Sequence, residues 1–131
     1  LSDQQAEAVD TAALERFLQS PLAAQIREGR NVRREYPFTL LMDAGRYDPA
    51  ARSGDEILLQ GVVDCCFESD AGITVVDFKT DFVQKPDEIL RRAESYRTQL
   101  TAYSQALEQV LERPVFRRVL YFLTPGKTVE L

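Results

Sequence analysis

The residues of this sequence best fitted to do chemistry are two aspartates and a lysine: Asp64, Asp77 and Lys79. A four-residue turn, Ser69-Asp70-Ala71-Gly72, separates two runs rich in β-branched residues, Ile57–Phe67 and Ile73–Lys79. That pattern predicts a hairpin in which Glu68 faces Ile73, and therefore Asp64 faces Asp77. Carboxylates directly opposite across antiparallel strands have Cβ atoms about 5 Å apart, and like charges so placed destabilise a sheet. Val63, Val75 and Val76 make the surroundings apolar, so nothing local accounts for the pair unless a cation sits between them. Two hard oxygen ligands suit Mg2+, with Mn2+ as its substitute, ions that keep several waters and recruit phosphate oxygens. Lys79 is two residues beyond Asp77 and leaves the same strand face. An ammonium there can orient or help deprotonate an attacking water, or stabilise developing phosphoryl charge. Phe78 between them points into the opposite layer, while its backbone carbonyl can reach the ion. The competing reading of Asp77 and Lys79 is a solvated ion pair on an exposed strand, and a one-residue slip would separate the aspartates.

Composition narrows the alternatives. The 131 residues contain no histidine, which removes Ser-His and Cys-His nucleophile schemes. Any catalysis must rest on carboxylates, Lys, Tyr or a metal. The two cysteines are adjacent, Cys65-Cys66, and neighbours on a strand point to opposite faces, a poor geometry for a mutual disulfide. Without histidine they cannot form a four-ligand zinc or iron–sulfur site, and they read as packing residues of a reducing compartment. A net charge of −5 argues against a uniformly basic nucleic-acid coat, though not against a local basic groove. No apolar run is long enough to span a membrane. The start, Leu1-Ser2-Asp3-Gln4-Gln5, has no Met, basic stretch or apolar core, so it is not a signal peptide; it reads as the edge of a piece excised from a larger chain. No Gly-x-x-x-x-Gly-Lys-Ser/Thr loop is present, so ATP hydrolysis is not the work of these residues.

The elements that must position the trio follow from periodicity. Val9, Ala13, Leu14, Phe17 and Leu18 mark a first helix. Ser20-Pro21 reads as an N-cap with Pro at the first helical position of a short helix through Leu22 and Ile26, stopped by Gly29. Val32–Met42 reads as a strand with Pro37 at an edge or a bulge. Asp43–Asp55, with Gly45, Pro49, Ser53 and Gly54, reads as a loop and the best candidate for disorder. From Pro86, the residues Ile89, Ala93, Tyr96, Leu100, Tyr103, Leu107 and Val110 form one apolar helical stripe. Pro114 ends that helix, and Val115–Leu123 is a last strand. The order is helix, three strands, helix, strand: a compact α/β sandwich, a single domain over residues 1–131.

Three successive stretches resemble the motifs of RecB-type nuclease domains of the PD-(D/E)XK superfamily. They are Gly61-Val62-Val63-Asp64, Val75-Val76-Asp77-Phe78-Lys79-Thr80-Asp81 and Tyr96-Arg97-Thr98-Gln99-Leu100-Thr101-Ala102-Tyr103. Upstream, Ser20-Pro21-Leu22 and Arg34-Glu35-Tyr36-Pro37-Phe38 look like the C-terminal nuclease domain of the AddA subunit of bacterial ATP-dependent helicase–nucleases. The resemblance covers about residues 17 to 123. It implies a restriction-endonuclease-like core, an α/β fold with a mixed central sheet flanked by helices. It also implies a Mg2+-dependent deoxyribonuclease that processes double-strand breaks for recombination, in the bacterial cytoplasm. Its implied partners are DNA, the helicase part of the same parent chain and a second nuclease subunit, with no membrane. By the same resemblance Asp64, Asp77 and the Phe78 carbonyl hold the metal, Lys79 serves the attacking water, and Gln99 and Tyr103 support the site or touch the strand. Tyr103 also reads as an ordinary member of the apolar stripe, whereas Gln99 among apolar neighbours needs a partner if buried. Glu35 is a possible additional acidic residue, or a surface partner of Arg33 or Arg34. Those two arginines are candidate phosphate contacts, or a solvated face. Many members of the family carry a metal-ligating histidine on a helix ahead of the core. This chain has none: either that helix lies outside this piece, which bears on the activity of the piece alone, or this member does without the histidine. The alternative function is a non-catalytic nuclease-like module for DNA binding or subunit docking.

Overall fold

The protein is described from a computed structural model, over residues 11–46, 50 and 54–131. Two short helices, α1 (Thr11–Leu18) and α2 (Pro21–Glu28), lead into strand β1 (Arg30–Asp43). A 3-10 turn (Ala44–Arg46) follows, then β2 (Glu56–Ser69) and β3 (Gly72–Lys79). Helices α3 (Pro86–Ser95) and α4 (Arg97–Leu111) cross to β4 (Val115–Phe122), and β5 (Lys127–Glu130) closes the order. One mixed five-stranded sheet runs β1-β2-β3-β4-β5. Its β3–β4 pair is parallel and the other pairs are antiparallel. The expected α/β class therefore holds, with one extra strand at the end and two helices where one was expected. Six of the thirteen residues of the loop expected over Asp43–Asp55 lie outside the described residues, as does Val9 of the first helical stripe.

The middle of the sheet is buried on both sides, and each side has its own core. On one side Ile89 and Ala93 of α3 and Leu100, Ala106 and Leu107 of α4 cover Val63, Cys66, Ile73, Val75, Leu120 and Phe122. On the other, Phe17 of α1 with Leu22 and Ile26 of α2 covers Cys65, Phe67, Val76, Val119 and Tyr121. Truncating a fully buried member such as Leu100 or Leu107 to Ala costs about 2–5 kcal/mol. Cys65 and Cys66 are both free thiols and lie in different layers, as strand alternation requires.

The local signals act as their chemistry predicts, with instructive differences. Ser20 caps α2 by accepting from the Ala23 N–H at 3.2 Å, with Pro21 in the first turn. Gly29 ends α2 with φ −70°, so no left-handed turn calls for glycine there. Its hydrogen is required instead by Phe67, whose ring would lie 2.6 Å from an added Cβ. Pro37 sits on β1, the edge strand, where its missing N–H costs least. The helix expected from Pro86 is interrupted at Tyr96 (φ −96°, ψ −3°), which ends α3 and starts α4, while its apolar stripe stays on one core from Ile89 to Leu107 and Val110 falls outside at 40% exposure. The hairpin turn is tighter than expected, because Ser69 and Gly72 already pair as strand residues.

At the turn end of this hairpin, Glu68 is buried and accepts hydrogen bonds from three donors. Arg113 approaches at 2.9 Å, Asn31 at 2.9 Å and Arg33 at 3.1 Å. These partners, Arg113 foremost, hold its carboxyl down to about 2. The network ties β1, β2 and the end of α4 together. Nearby, Ile73 N–H donates to the Pro114 carbonyl at 2.9 Å, which fixes the start of β3 to the start of β4.

Candidate active site

The β2–β3 ladder has the register predicted from the turn: Glu68 pairs with Ile73 and Cys65 with Val76. Just beyond this last pair stand Asp64 and Asp77. Asp64 occupies a phase break in β2. Val63 faces the α3/α4 core, yet Cys65, two residues on, faces the α1/α2 core. The same break occurs in β1 opposite, where Arg34 pairs with Cys65 and Tyr36 with Val63, leaving Glu35 across from Asp64. Glu35 absorbs the break with φ +47°, a left-handed conformation that costs about 1–3 kcal/mol in a non-glycine residue. The consequence is that Asp64 aims sideways. Its Oδ2 accepts from the Phe78 N–H at 2.9 Å, where a β2 carbonyl would otherwise complete the ladder.

The two carboxyl groups hydrogen-bond each other. Burial, reinforced by the Asp64 contact, pushes Asp77 up to about 6 despite the nearby Lys79. Burial also opposes ionisation of Asp64, but hydrogen bonds from Asp77 and the Phe78 N–H bring it below its ordinary value. The pair thus holds one proton between its two members as the pH falls through 6, with the proton on Asp77. Phe78 itself is anchored in the far layer by edge-to-face contact with Phe17 at 5.0 Å between centroids. In an extended strand the N–H and C=O of one residue leave on the same side. The Phe78 carbonyl therefore turns toward the carboxylates together with its N–H.

Lys79 Nζ lies 2.7 Å from Asp77 Oδ2 and donates to Gln99 Oε1 at 3.4 Å. Gln99 Nε2 in turn donates to the Tyr103 hydroxyl at 3.4 Å, one helical turn along α4. Tyr103 stacks edge-to-face on Phe38 at 5.2 Å, and Gly61 makes the room, since an added Cβ would sit 2.8 Å from Phe38 Cζ. Two residues escape sequence reasoning. The Tyr96 ring lies under Lys79 Nζ at 3.9 Å, and its hydroxyl donates to Asp81 at 3.0 Å. Neither the stripe to which Tyr96 belongs nor its distance in sequence from Asp81 signals this contact.

The structure thus brings Asp64, Asp77, Lys79, Gln99 and Tyr103 into one connected chain of contacts. Arg34 and Glu35 instead line a cavity of about 590 Å3 on the α1/α2 side, with Phe17, Ile26, Phe78 and Asp64. Asp64 is therefore the residue shared by the cavity and the carboxylate pair. Arg33 is not part of this group, because it is committed to Glu68 at the other end of β2. Among the described residues no third His, Cys, Asp or Glu completes a metal-binding cluster with the two aspartates. No helix among them is long and apolar enough to cross a membrane.

Comparison with known proteins gives a consistent result. The family model of the PD-(D/E)XK nuclease superfamily matches residues 1–130. The AddA-type ATP-dependent helicase/nuclease protein of Oceanobacillus iheyensis is 33% identical over 139 residues, covering 100% of this chain and 11% of that protein. The protein of the same name from Acetivibrio thermocellus is 37% identical, covering 97% of this chain and 10% of the other. That from Bacillus cytotoxicus is also 37% identical, with 100% and 11% covered. The chain thus spans about a tenth of the length of these relatives. Among solved structures, that of SSO0001 superposes with a TM-score of 0.52 at 17% identity, over 92% of this chain and 50% of that one, a likeness of fold.

Proposed function

The chain belongs to the PD-(D/E)XK nuclease superfamily, and on that premise we propose that it is the metal-dependent deoxyribonuclease domain of an ATP-dependent helicase–nuclease. It hydrolyses phosphodiester bonds of a DNA strand delivered by the helicase part of the same parent chain. The process served is double-strand-break end processing for recombinational repair, in the bacterial cytoplasm and beside a second nuclease subunit.

The observation that carries this reading is the contact between Asp64 and Asp77, one of them pushed up to about 6, with Lys79 at 2.7 Å. A structural role does not call for two hydrogen-bonded carboxyl groups at the open end of a hairpin. A hard divalent cation fits the donor set: two carboxylates and the Phe78 carbonyl, with the remaining positions left to water and phosphate oxygens. Mg2+, or Mn2+ in its place, would be held by Asp64, Asp77 and the Phe78 carbonyl, and supplies Lewis-acid polarisation of a phosphodiester oxygen.

The chain's own residues do the rest. Lys79 orients a water beside the carboxylates and offsets negative charge as it develops on the phosphoryl group. Gln99 fixes the Lys79 ammonium from the α4 side, and Tyr103 fixes Gln99. Phe78, clamped by Phe17, keeps Asp77 and Lys79 on the same side of β3. Arg34 and Glu35 line the cavity together with Asp64, and Arg34 meets a backbone phosphate there in this reading. The net charge of −5 agrees with a module whose affinity for DNA comes from the motor.

The test is made in a full-length helicase–nuclease carrying this domain, with the second nuclease subunit inactivated so that only this domain cuts. Asp77→Ala and Lys79→Ala each lower that cleavage at least roughly a hundredfold while unwinding continues. Cleavage that survives both substitutions would favour the alternative, a non-catalytic module for DNA binding or docking.

A further inference from the structure

Lysine is a poor catalytic group unless something restrains it. Its ammonium rides on a flexible four-carbon stem, and it is a point charge without the geometric preference of a guanidinium. Yet the Lys79 side chain is only 12% exposed, and its Nζ is met from three directions. Asp77 Oδ2 lies at 2.7 Å and Gln99 Oε1 at 3.4 Å. The face of the Tyr96 ring lies at 3.9 Å from Nζ to its centroid, well inside the range at which a ring attracts a cation. The ring is itself held. Its hydroxyl donates to both oxygens of Asp81, at 3.0 and 3.2 Å, and Arg92 Nε lies 3.4 Å from the same carboxylate. Burial and the Asp81 carboxylate push the Tyr96 phenol up, which keeps it a donor at neutral pH.

We propose that Tyr96 is the positioning residue for Lys79, a platform that holds the ammonium at the carboxylate pair, with Asp81 and Arg92 fixing the platform. This role rests on the nuclease reading of Lys79. The backbone explains how the ring gets there. Tyr96 is the joint between α3 and α4, and at that joint its ring faces Lys79 at the end of β3. Asp81, two residues past Lys79, catches the hydroxyl. Ring and Gln99 restrain the ammonium independently of Asp77. The N–H now given to Asp77 can therefore pass to a water or a phosphoryl oxygen without the side chain swinging into solvent.

Two readouts test the role. The chain has three lysines, Lys79, Lys85 and Lys127, so their side-chain resonances are readily resolved by NMR. The Lys79 Hε protons appear upfield of the other two in the wild type, stay upfield in Tyr96→Phe, and return to the common position in Tyr96→Leu. In the full-length enzyme Tyr96→Leu lowers kcat roughly tenfold with KM for DNA unchanged, whereas Tyr96→Phe stays within about threefold of wild type. The wild-type resonance decides the geometry should the leucine variant fail to fold, and Lys79 Hε protons at the position of the other lysines overturn the proposal. Equal kcat losses in Tyr96→Phe and Tyr96→Leu, or a loss confined to KM, overturn it as well. Tyr96→Leu at the wild-type rate beside an inactive Lys79→Ala sinks this role alone. Lys79→Ala at the wild-type rate sinks the site reading, and this role with it.

Discussion

Replacing Asp77 with Asn should stabilise the metal-free protein, an unusual outcome for a change at a half-buried polar site. Asp77 ionises at about 6 in the fold against an ordinary 3.8, a difference of about two units. At 1.36 kcal/mol per unit, that is at most about 3 kcal/mol opposing the ionised fold. Because the folded state binds this proton more tightly than the unfolded chain, the group's cost is absent below pH 4. It grows between pH 4 and 6 and is complete above 6. The Lys79 ion pair and the opposite displacement of Asp64 return part of it, so about 1–2 kcal/mol is the expected gain for Asp77→Asn at pH 8. For a chain of this size each kcal/mol moves Tm by about 3–5 °C. The assay is thermal unfolding of both proteins at pH 4 and pH 8, without and with Mg2+. At pH 4 the two should melt together; at pH 8 without the ion the variant should melt higher. At a hundred times Kd the ion adds about 2.7 kcal/mol to the wild type, and little to the variant, which reverses their order. A variant that melts lower than wild type at pH 8 in chelator, or that gains as much from Mg2+, refutes the reasoning.

Two further substitutions probe the frame around the site. Glu68→Gln leaves Arg113, Arg33 and Asn31 without their shared anion and should cost about 3 kcal/mol at pH 7 in urea unfolding. Its carboxyl is depressed from 4.5 to about 2, so the wild-type advantage is complete above 4.5 and disappears as the pH falls from there to 2; an unchanged gap at pH 2.5 contradicts this. Gly61→Ala drives a methyl against Phe38 and Tyr103, costing about 1–3 kcal/mol and lowering cleavage by the parent enzyme through Tyr103 and Gln99. Cleavage and melting temperature both at wild-type values would show that the ring pair yields freely.

What is legible in the sequence is mostly what neighbours along the chain decide. The β-branched runs around Ser69–Gly72 specify the hairpin and its register, and with it the meeting of Asp64 and Asp77. Ser20-Pro21 specifies the start of α2, and Pro37 the edge position of β1. The misses have long-range causes. The stripe from Ile89 to Val110 carries no breaker residue at Tyr96; the joint there accompanies tertiary contacts of Tyr96 with Lys79 and Asp81. Strand β5 is four residues long and mostly exposed, too short to show alternation, and exists by pairing with β4. Strand alternation alone makes Asp64 an ordinary face-to-face partner of Asp77. The break of phase at Val63–Cys65 needs β1 and its positive-φ Glu35 alongside, and no period in β2 alone announces it. Arg33 and Arg34 cannot be told apart in sequence. One is bound to Glu68 and the other lines the cavity, because alternation sends them to opposite faces.

The doublet Cys65-Cys66 turns the sheet into a partition with a reporter on each side. The thiols are covalent neighbours, yet each is buried in a layer covered by a different pair of helices, and the chain has no other cysteine to confuse them. Burial raises both, Cys65 to about 11, so neither reacts while its own layer stays closed. Cys65 also lines the cavity on the α1/α2 side. With a reagent too bulky to enter that cavity, the modification rate of Cys65 follows excursions in which α1 and α2 lift away, and that of Cys66 follows excursions of α3 and α4. Measured separately with Cys65→Ala and Cys66→Ala, the two rates divide the stability of one continuous sheet into the opening free energies of its two coverings. A reagent that sees Cys66 while Cys65 stays silent would time the release of the helices that carry Tyr96 and Gln99, without unfolding the strand that carries Asp64.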